Sequence, residues 1–391
     1  MSFHFNFEPI CTDDLVSILV KADRQDPMTR GGSQMVFNLP HVFIARKLIL
    51  TNEHILVAPS TDPSCTHLVI IGKSDYMKQK EITSRITRLK LTILVTGKTC
   101  SGDLEKALKF TIQTRLSKNW APCADLLIQG QDFLDSRNNS SILSVKVNFC
   151  ATNSSLDMTL KPVSSILPLF SLDGLGVPAE VSTSFLRTDG SFITEDFIPN
   201  RWVYVLPSMK KGEVVEIRKD LPIDSPFNSF EELKIYWLNL YGYKLPSSES
   251  DIFYVQVLFR MLSAEPMTYP SCCVRPGGLR PAPSRDRPPT GAVRQFAIDT
   301  LSYSRRLFAD FQLRLIDPDK DVATVVADNA AASTASQSTA IATASKLQTQ
   351  KPNAVVPPSA RPAGCKRRHA DNADEAGPTS SVKQPRLSYE G

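Results

Sequence analysis

One short string has the residue types of a nucleotide-binding loop. Gly97-Lys98-Thr99 follows an apolar, β-like run, as the Gly-Lys-Thr of a phosphate-binding loop does. That loop also needs a glycine five residues before its Gly-Lys pair, so that the backbone can wrap the phosphates. Thr92 occupies this position, inside the β-like run itself. The sequence therefore predicts that no nucleotide-binding loop forms here.

A second group has the residue types of a zinc site. Cys65 and His67 are two residues apart and His54 is nearby, and thiolate and imidazole are common zinc ligands. Zinc sites usually draw two close ligand pairs, and we find no second pair at a suitable spacing. A buried thiol beside an ordinary histidine is the interpretation that we favour, so we predict no metal and no cofactor.

Catalytic patterns are also missing from the sequence. The chain has five histidines to act as a base for a serine or cysteine nucleophile, and it has no Gly-x-Ser-x-Gly string. No pair of carboxylates stands out as an acid and base. We therefore predict no catalytic residues and a protein that is not an enzyme.

Aromatic and basic residues are interleaved from Trp202 to Tyr254. Rings stack on bases and cations hold phosphates in sites for single-stranded nucleic acid, so this segment is one candidate binding surface. The same residues at strand and helix spacing are typical of a core with a charged rim. Buried Trp202, Tyr236 and Trp237 favour the core interpretation, and exposed rings favour the nucleic-acid one. The basic residues of this candidate interaction surface are Lys210, Lys211, Arg218 and Lys244.

Two basic clusters near the C-terminus have the form of a nuclear-import signal. Exposed basic clusters near proline fit the acidic groove of an import receptor. We expect such a receptor as a partner and a nuclear location, with a cytoplasmic location as the alternative. The candidate import residues are Lys366, Arg367, Arg368, Lys383 and Arg386.

Composition places this charge in the tail. The chain has 391 residues, 42% of them hydrophobic, which is enough for one large core or two modest ones. Eight basic and four acidic residues follow position 330, so +4 of the formal +5 charge lies there. The balanced remainder argues against a large non-specific nucleic-acid surface. With no secretory signal and no apolar run of about 18–20 residues, we expect a soluble intracellular protein without a membrane partner and with free thiols.

Local patterns predict an alternation of helices and strands. Helices are expected over 15–22, 74–90 and 103–116, and from Ser229, where Glu232 completes a capping box and Gly242 fits a C-cap. Strands are expected over 42–50, 55–58, 67–72, 91–96, 126–128, 142–149, 156–160, 202–206, 213–218 and 252–262. The fold class is therefore α+β, with mixed, mainly antiparallel sheets, several packed helices and a disordered C-terminal tail.

The same patterns divide the chain into four parts. They are a folded α+β body over 1–274, with a division into two subdomains near 162–200 as one option; an Arg/Pro-rich linker or loop over 275–291; an amphipathic helix over 292–316; and a disordered basic tail over 330–391.

Four longer strings resemble a known family. They are LLIQGQDFL at 126–134, WVYVLPSMKKG at 202–212, YGYKLP at 241–246 and YPSC at 269–272. These strings are similar to the chromosome 18 open reading frame 63 family, catalogued as domain of unknown function 4708. The resemblance covers roughly 38–274 and departs after Pro276. It implies no activity, cofactor or catalytic residue.

We therefore expect a non-enzymatic protein-interaction module: the folded body binds a protein partner, and the tail directs nuclear entry. The alternative is a nucleic-acid-binding factor that uses the segment 202–254.

Overall fold

The computed structural model describes residues 2–7, 12–22, 40–61, 65–135, 142–152, 155–223, 225–260, 265–282, 290–304 and 313–315. The chain divides into two units, Met1–Ala330 and Ala331–Gly391, and all the described residues belong to the first. The predicted disordered tail over 330–391, with its five candidate import residues, lies outside the described residues.

Seven α-helices and seventeen strands are described. The helices are α1 (Pro40–Thr51), α2 (Ser74–Met77), α3 (Lys80–Arg88), α4 (Ser101–Arg115), α5 (Ala179–Arg187), α6 (Phe230–Tyr241) and α7 (Thr290–Ser304). The strands are β1 (Phe3–Phe7), β2 (Leu15–Ala22), β3 (Ile55–Pro59), β4 (His67–Lys73), β5 (Leu91–Lys98), β6 (Trp120–Cys123), β7 (Leu126–Gln129), β8 (Ile142–Ala151), β9 (Leu156–Ile166), β10 (Phe192–Thr194), β11 (Trp202–Val205), β12 (Lys210–Arg218), β13 (Tyr254–Leu258), β14 (Met267–Pro270), β15 (Val274–Arg275), β16 (Arg280–Pro281) and β17 (Leu313–Leu315).

The strands form three sheets within the described part of the chain. The first sheet has the order β17-β1-β9-β8-β7-β6, with β16 also on β9; the second has the order β14-β13-β12-β11-β15, with β10 also on β12. The third sheet has the order β3-β4-β2-β5. All the described strand pairs are antiparallel. The predicted α+β class with mainly antiparallel sheets is confirmed.

In and beside the third sheet, two segments have the secondary structure opposite to the one predicted. The segment 15–22, predicted as a helix, is the inner strand β2, which pairs with β4 on one side and β5 on the other. The segment 42–50, predicted as a strand, lies in helix α1. Both segments are short apolar runs whose period fits either structure, and their tertiary neighbours decide between the two. In α1 the buried apolar residues are Ile44, Ala45, Leu48 and Ile49, at helical spacing.

Helix α4 links the first and third sheets through a shared apolar core. Its buried residues Leu104, Leu108 and Ile112 pack in the same cluster as Leu56 of β3 and Val145 of β8. This helix was predicted over 103–116 from apolar residues four apart, and its observed range agrees closely. The opposite face of the third sheet packs against α1 and α3 in a separate cluster.

The second sheet is covered on both faces. One face, with Val214, Ile217 and Val257, packs with Phe185 of α5. Part of the other face packs against α6, whose Trp237 is fully buried.

The predicted start and end of α6 are confirmed. Its Ser229 side chain accepts a hydrogen bond from the Glu232 amide, and Gly242 ends the helix with a left-handed φ of 78°.

Four further segments differ from the expectations. The predicted helix over 74–90 is divided into α2 and α3. The strand predicted over 156–160 continues to Ile166 as β9. Leu313–Leu315, within the predicted amphipathic helix 292–316, is the strand β17 on β1. The linker interpretation of 275–291 is wrong for Arg275, which is buried in β15 because backbone carbonyls accept its guanidinium hydrogen bonds.

None of the described helices is both long and apolar enough to cross a membrane.

His41 supplies a test of this packing. Its side chain is buried in α1, and burial lowers the pKa of the imidazole below its usual 6.5. As the pH falls below about 6.5, the unfolded chain therefore gains a proton that the folded chain resists, so the free energy of unfolding decreases by up to about 1.4 kcal/mol per pH unit. We expect His41→Leu to flatten this decrease between about pH 6.5 and 5, in urea unfolding curves recorded at several pH values.

The matched control is His54→Leu, because His54 is exposed. If the free energy of unfolding changes equally with pH in the wild type and in His41→Leu, the buried His41 is not the cause of the pH dependence.

Candidate protein interface

The aromatic–basic segment 202–254 is divided between the core and the surface. Trp237, Tyr243 and Tyr254 are fully buried, and burial raises the pKa of Tyr241 to about 12. The Trp237 ring packs 4.9 Å from the Tyr241 ring and 5.8 Å from the Tyr243 ring, measured between centroids. These rings pack on one another at tilted angles, and the Trp237 ring also packs edge-on against the Tyr269 ring of β14, 6.3 Å away between centroids. They therefore offer no face to a nucleic-acid base.

Trp202 behaves differently, because 52% of its surface is exposed. The Lys211 ammonium lies 4.5 Å from the Trp202 ring centroid, close enough for a cation–π contact. The neighbouring cations are paired with carboxylates: Glu213 accepts hydrogen bonds from Arg260 at 2.9 Å and lies 3.8 Å from Arg201, measured from oxygen to nitrogen. Trp202 is therefore an exposed ring beside one cation, and the neighbouring arginines are paired with a carboxylate.

The structure brings together only two of the four predicted interaction cations. Lys210 and Lys211 are exposed at the start of β12, and Arg218 lies at its other end, roughly 25 Å away by strand geometry. Arg218 forms an ion pair with Glu216. Lys244 follows α6, where its backbone amide donates to the Gln131 side chain. The four cations do not form one basic surface.

The two motifs that resembled ligand sites are paired locally. The Cys65 sulfur and the His67 Nδ1 atom are 2.7 Å apart, and Lys98 forms an exposed ion pair with Asp13 at 3.4 Å. In the part of the chain that the structure describes, no group of three or more His, Cys, Asp or Glu side chains is placed to hold a metal ion.

A cleft of about 1440 Å³ lies beside the loop 244–251. Its charged lining residues are six acidic ones and three basic ones, so it repels a phosphate backbone more than it attracts one. Buried Arg275 lies in its wall, where its Nη2 atom donates to the Phe133 carbonyl at 2.6 Å and burial lowers the pKa of the guanidinium. The acidic residues are Asp132, Asp135, Asp189, Asp220, Glu249 and Asp251, and the other basic ones are Lys219 and Lys244.

Helices α1 and α6 meet through a buried arginine. Arg46 of α1 donates from Nε to the Asn239 carbonyl of α6 at 2.8 Å and from Nη2 to the Ser117 hydroxyl at 3.4 Å. Burial lowers the pKa of Arg46 to about 10. Gly242 lies against this contact: a Cβ atom there would be 2.8 Å from the Arg46 Nη2 atom and 2.7 Å from the Ser117 Cβ atom. The close approach and the left-handed φ both require glycine.

Gln131 completes this polar junction. Its Nε2 atom donates to the Ser117 carbonyl at 3.0 Å and to the Gly242 carbonyl at 2.9 Å. The junction of Arg46, Ser117, Gln131, Asn239 and Gly242 therefore joins α1 and α6 to the chain segments that flank β6 and β7.

Four large apolar side chains are exposed on the two helices that this junction joins. Phe43 and Leu50 lie three residues before and four residues after Arg46, so they share one side of α1. Ile235 lies one turn before Asn239 on α6, and Leu238 follows it after three residues. Their exposed fractions range from 42% to 61%. We name Phe43, Leu50, Ile235 and Leu238 the paired-helix surface.

Sequence reasoning missed this surface for two reasons. The segment of α1 was predicted as a strand, and α6 was predicted from its capping box and C-cap, which say nothing about its exposed face. One signal was available: the α6 sequence FEELKIYWLNLY is apolar on more than one face.

Comparison with known proteins identifies the family. Residues 30–283 match the family described as domain of unknown function (DUF4708). The match covers more than half of the chain, so the chain belongs to this family. The resemblance of the four strings is confirmed, and the match continues past Pro276, where a departure was expected.

Similar solved structures include three of Argonaute and Piwi proteins. Marinitoga piezophila Argonaute with a 5′ OH guide RNA and target DNA is 11% identical, over 77% of this chain and 35% of that one, with a TM-score of 0.27. The same Argonaute with the guide RNA alone is 10% identical, over 81% and 40%, with a TM-score of 0.31. Drosophila Piwi is 9% identical, over 80% and 42%, with a TM-score of 0.35.

The chain therefore spans less than half the length of the solved chains that it matches. At TM-scores of this size we draw no conclusion about this protein from the similarity.

Removing the buried arginine tests the junction. In Arg46→Ala the Asn239 carbonyl and the Ser117 hydroxyl lose a charged donor, so we expect the free energy of unfolding to fall by about 1–3 kcal/mol. The measurement is urea unfolding followed by circular dichroism. The matched control is exposed Lys47→Ala, one residue further along α1, which we expect to change this free energy by less than about 0.5 kcal/mol. Equal effects of the two substitutions would show that the junction does not stabilise the fold.

Proposed function

We propose that this protein is a non-enzymatic protein-interaction module that acts in the nucleus. Its folded part binds a protein partner through the paired-helix surface. The observation that supports this proposal is a group of four half-exposed, large apolar side chains on two packed helices. Adjacent exposed side chains of this kind mark binding surfaces, whereas single ones are ordinary. The proposed function is non-enzymatic, because binding through an apolar surface of this kind needs no reacting group.

The partner that fits this surface is an amphipathic helix with an aliphatic face. Side chains three and four residues apart form ridges on each helix, and the space between two packed helices accepts the ridge of a third. Phe43 and Leu50 provide one row, and Ile235 and Leu238 provide the other. A partner helix would place apolar residues at i, i+3, i+4 and i+7 between these rows.

The nucleic-acid alternative has less support. It needs several exposed rings beside unpaired cations. Trp202 with Lys211 provides one such ring, but Trp237, Tyr243 and Tyr254 are buried and Glu213 is close to two neighbouring arginines. We therefore treat nucleic-acid binding as an outcome that the experiment below can detect.

The partner proposal is tested by proximity labelling in cells. We expect the wild-type chain to label a small, reproducible set of proteins that is unchanged by nuclease treatment. The double variant Ile235→Lys/Leu238→Lys should lose this set, because two ammonium groups then face the apolar partner. The matched control is Leu186→Lys/Ile223→Lys, which places the same charges on two other exposed apolar positions.

Two results would contradict the proposal. One is a labelled set that survives Ile235→Lys/Leu238→Lys. The other is a set of RNA- or DNA-bound proteins that disappears with nuclease or in Trp202→Ala, which favours the nucleic-acid alternative. Urea unfolding of each purified variant must show an unchanged midpoint, so that loss of labelling reports on the surface and not on the fold.

Nuclear entry through the tail is tested separately. The proposal is based on the two basic clusters of the sequence, which an acidic import receptor would bind. We expect the triple variant Lys366→Ala/Arg367→Ala/Arg368→Ala to move the protein to the cytoplasm in fluorescence microscopy, as deletion of 331–391 should. The matched control is Lys346→Ala/Lys351→Ala, which removes isolated charges from the same tail. A nuclear triple variant, or a cytoplasmic wild type, would contradict the proposal.

A further inference from the structure

Strand β5 is an edge of the third sheet with an exposed apolar segment. It pairs with β2 on one side, and among the described strands none pairs with its other side. The side chains from Thr92 to Lys98 are exposed. Ile93, Leu94 and Val95 are consecutive large apolar residues with exposed fractions of 43–59%. An edge of this kind offers both backbone hydrogen-bonding groups and apolar side chains to another strand.

The usual protection of an edge strand is weak here. Natural proteins block exposed edges with lysine, proline, inward-pointing charges or bulges. From Leu91 to Gly97 the strand has no charged residue and no proline. One such device is present, because a β-bulge leaves Leu94 without an opposite residue on β2. The first charge, Lys98, is already paired with Asp13. Within the described residues, the bulge is therefore the one blocking device on this edge from Thr92 to Thr96.

The sequence of this edge indicates that its partner is a second copy of the same chain. Thr92-Ile93-Leu94-Val95-Thr96 is symmetric in chemistry about Leu94. When two such strands pair antiparallel about a two-fold axis through Leu94, each threonine faces a threonine and each Ile93 faces a Val95. Threonine pairs and β-branched apolar pairs are favourable across strands, and a two-fold interface must be self-complementary in this way.

The same register limits the length of the pairing. Beyond the five central residues, Leu91 faces Gly97, and then Lys90 of one copy faces Lys98 of the other. Like charges in opposite positions repel, so the pairing ends there. A partner strand from an unrelated protein would have no reason to match this symmetry.

We propose that two copies of this protein pair antiparallel along β5, centred on Leu94, and so form one continuous eight-stranded sheet. The interface is short, so the association is weak and depends on concentration. It does not rest on the function proposed above, because it uses a different surface.

Cysteine cross-linking tests the register. A residue on the two-fold axis meets its own copy, so Leu94→Cys should give a covalent dimer under mild oxidation. The matched control is Leu186→Cys on α5, which is at least as exposed as Leu94 and should stay monomeric. Both are made in a chain in which serine replaces the exposed cysteines and those outside the described residues, Cys11, Cys100, Cys150 and Cys365. Equal cross-linking of the two variants would overturn the proposed register.

Sedimentation velocity of the full chain tests the association itself, over about 1 µM to 1 mM. We expect reversible dimers that Val95→Lys weakens at least tenfold and that Leu186→Lys leaves unchanged. Added salt should strengthen the dimer, because it screens the repulsion between Lys90 and Lys98. A wild type that stays monomeric throughout would overturn the proposal. Dimers that survive Val95→Lys but dissociate in Ile235→Lys/Leu238→Lys would also overturn it, and would assign self-association to the paired-helix surface.

Discussion

The polar junction at the C-terminal end of α6 is the constraint on which the arrangement of the helices depends. Gly242 is left-handed there, and its carbonyl accepts from Gln131 while Arg46 reaches the neighbouring Asn239 carbonyl. These carbonyls at a helix end have no partner within the helix, so side chains from elsewhere must satisfy them. The donors come from α1 and from the segment after β7. The hydrogen bonds that satisfy this one helix end therefore fix α6 to α1, which packs on the third sheet, and to the segment after β7 of the first sheet.

The sequence predicted those elements whose local signals agree with their tertiary surroundings. Helix α6 had a capping box and a C-terminal glycine, and β5 and α4 had clear apolar patterns. It failed for β2 and α1, because short apolar runs fit both helical and strand spacing. Residues 15–22 become a strand because β4 and β5 flank them on both sides. Residues 42–50 become a helix because Ile44, Ala45, Leu48 and Ile49 together cover one face of that same sheet.

Exposure was the property that local patterns could not provide. Trp202 and Trp237 lie in similar aromatic and basic surroundings in the sequence, yet one is half-exposed and the other is buried. Trp237 is buried because α6 packs across one part of the second sheet, and Trp202 lies on the part that α6 leaves open. Arg275 shows the converse case: a proline-rich, basic segment indicated an exposed loop, but carbonyl acceptors allow its guanidinium to be buried.

The two proposed surfaces are connected through the third sheet. Helix α1, which carries half of the paired-helix surface, packs on the third sheet, and β5 is the edge of that sheet. A two-fold pairing through β5 would therefore set two paired-helix surfaces at a fixed separation. A partner with two amphipathic helices could then bind both, and the second contact would form at a high effective concentration. Weak pairing along β5 and weak binding at each helix pair would in this way reinforce one another, since each makes the other more favourable without any new contact.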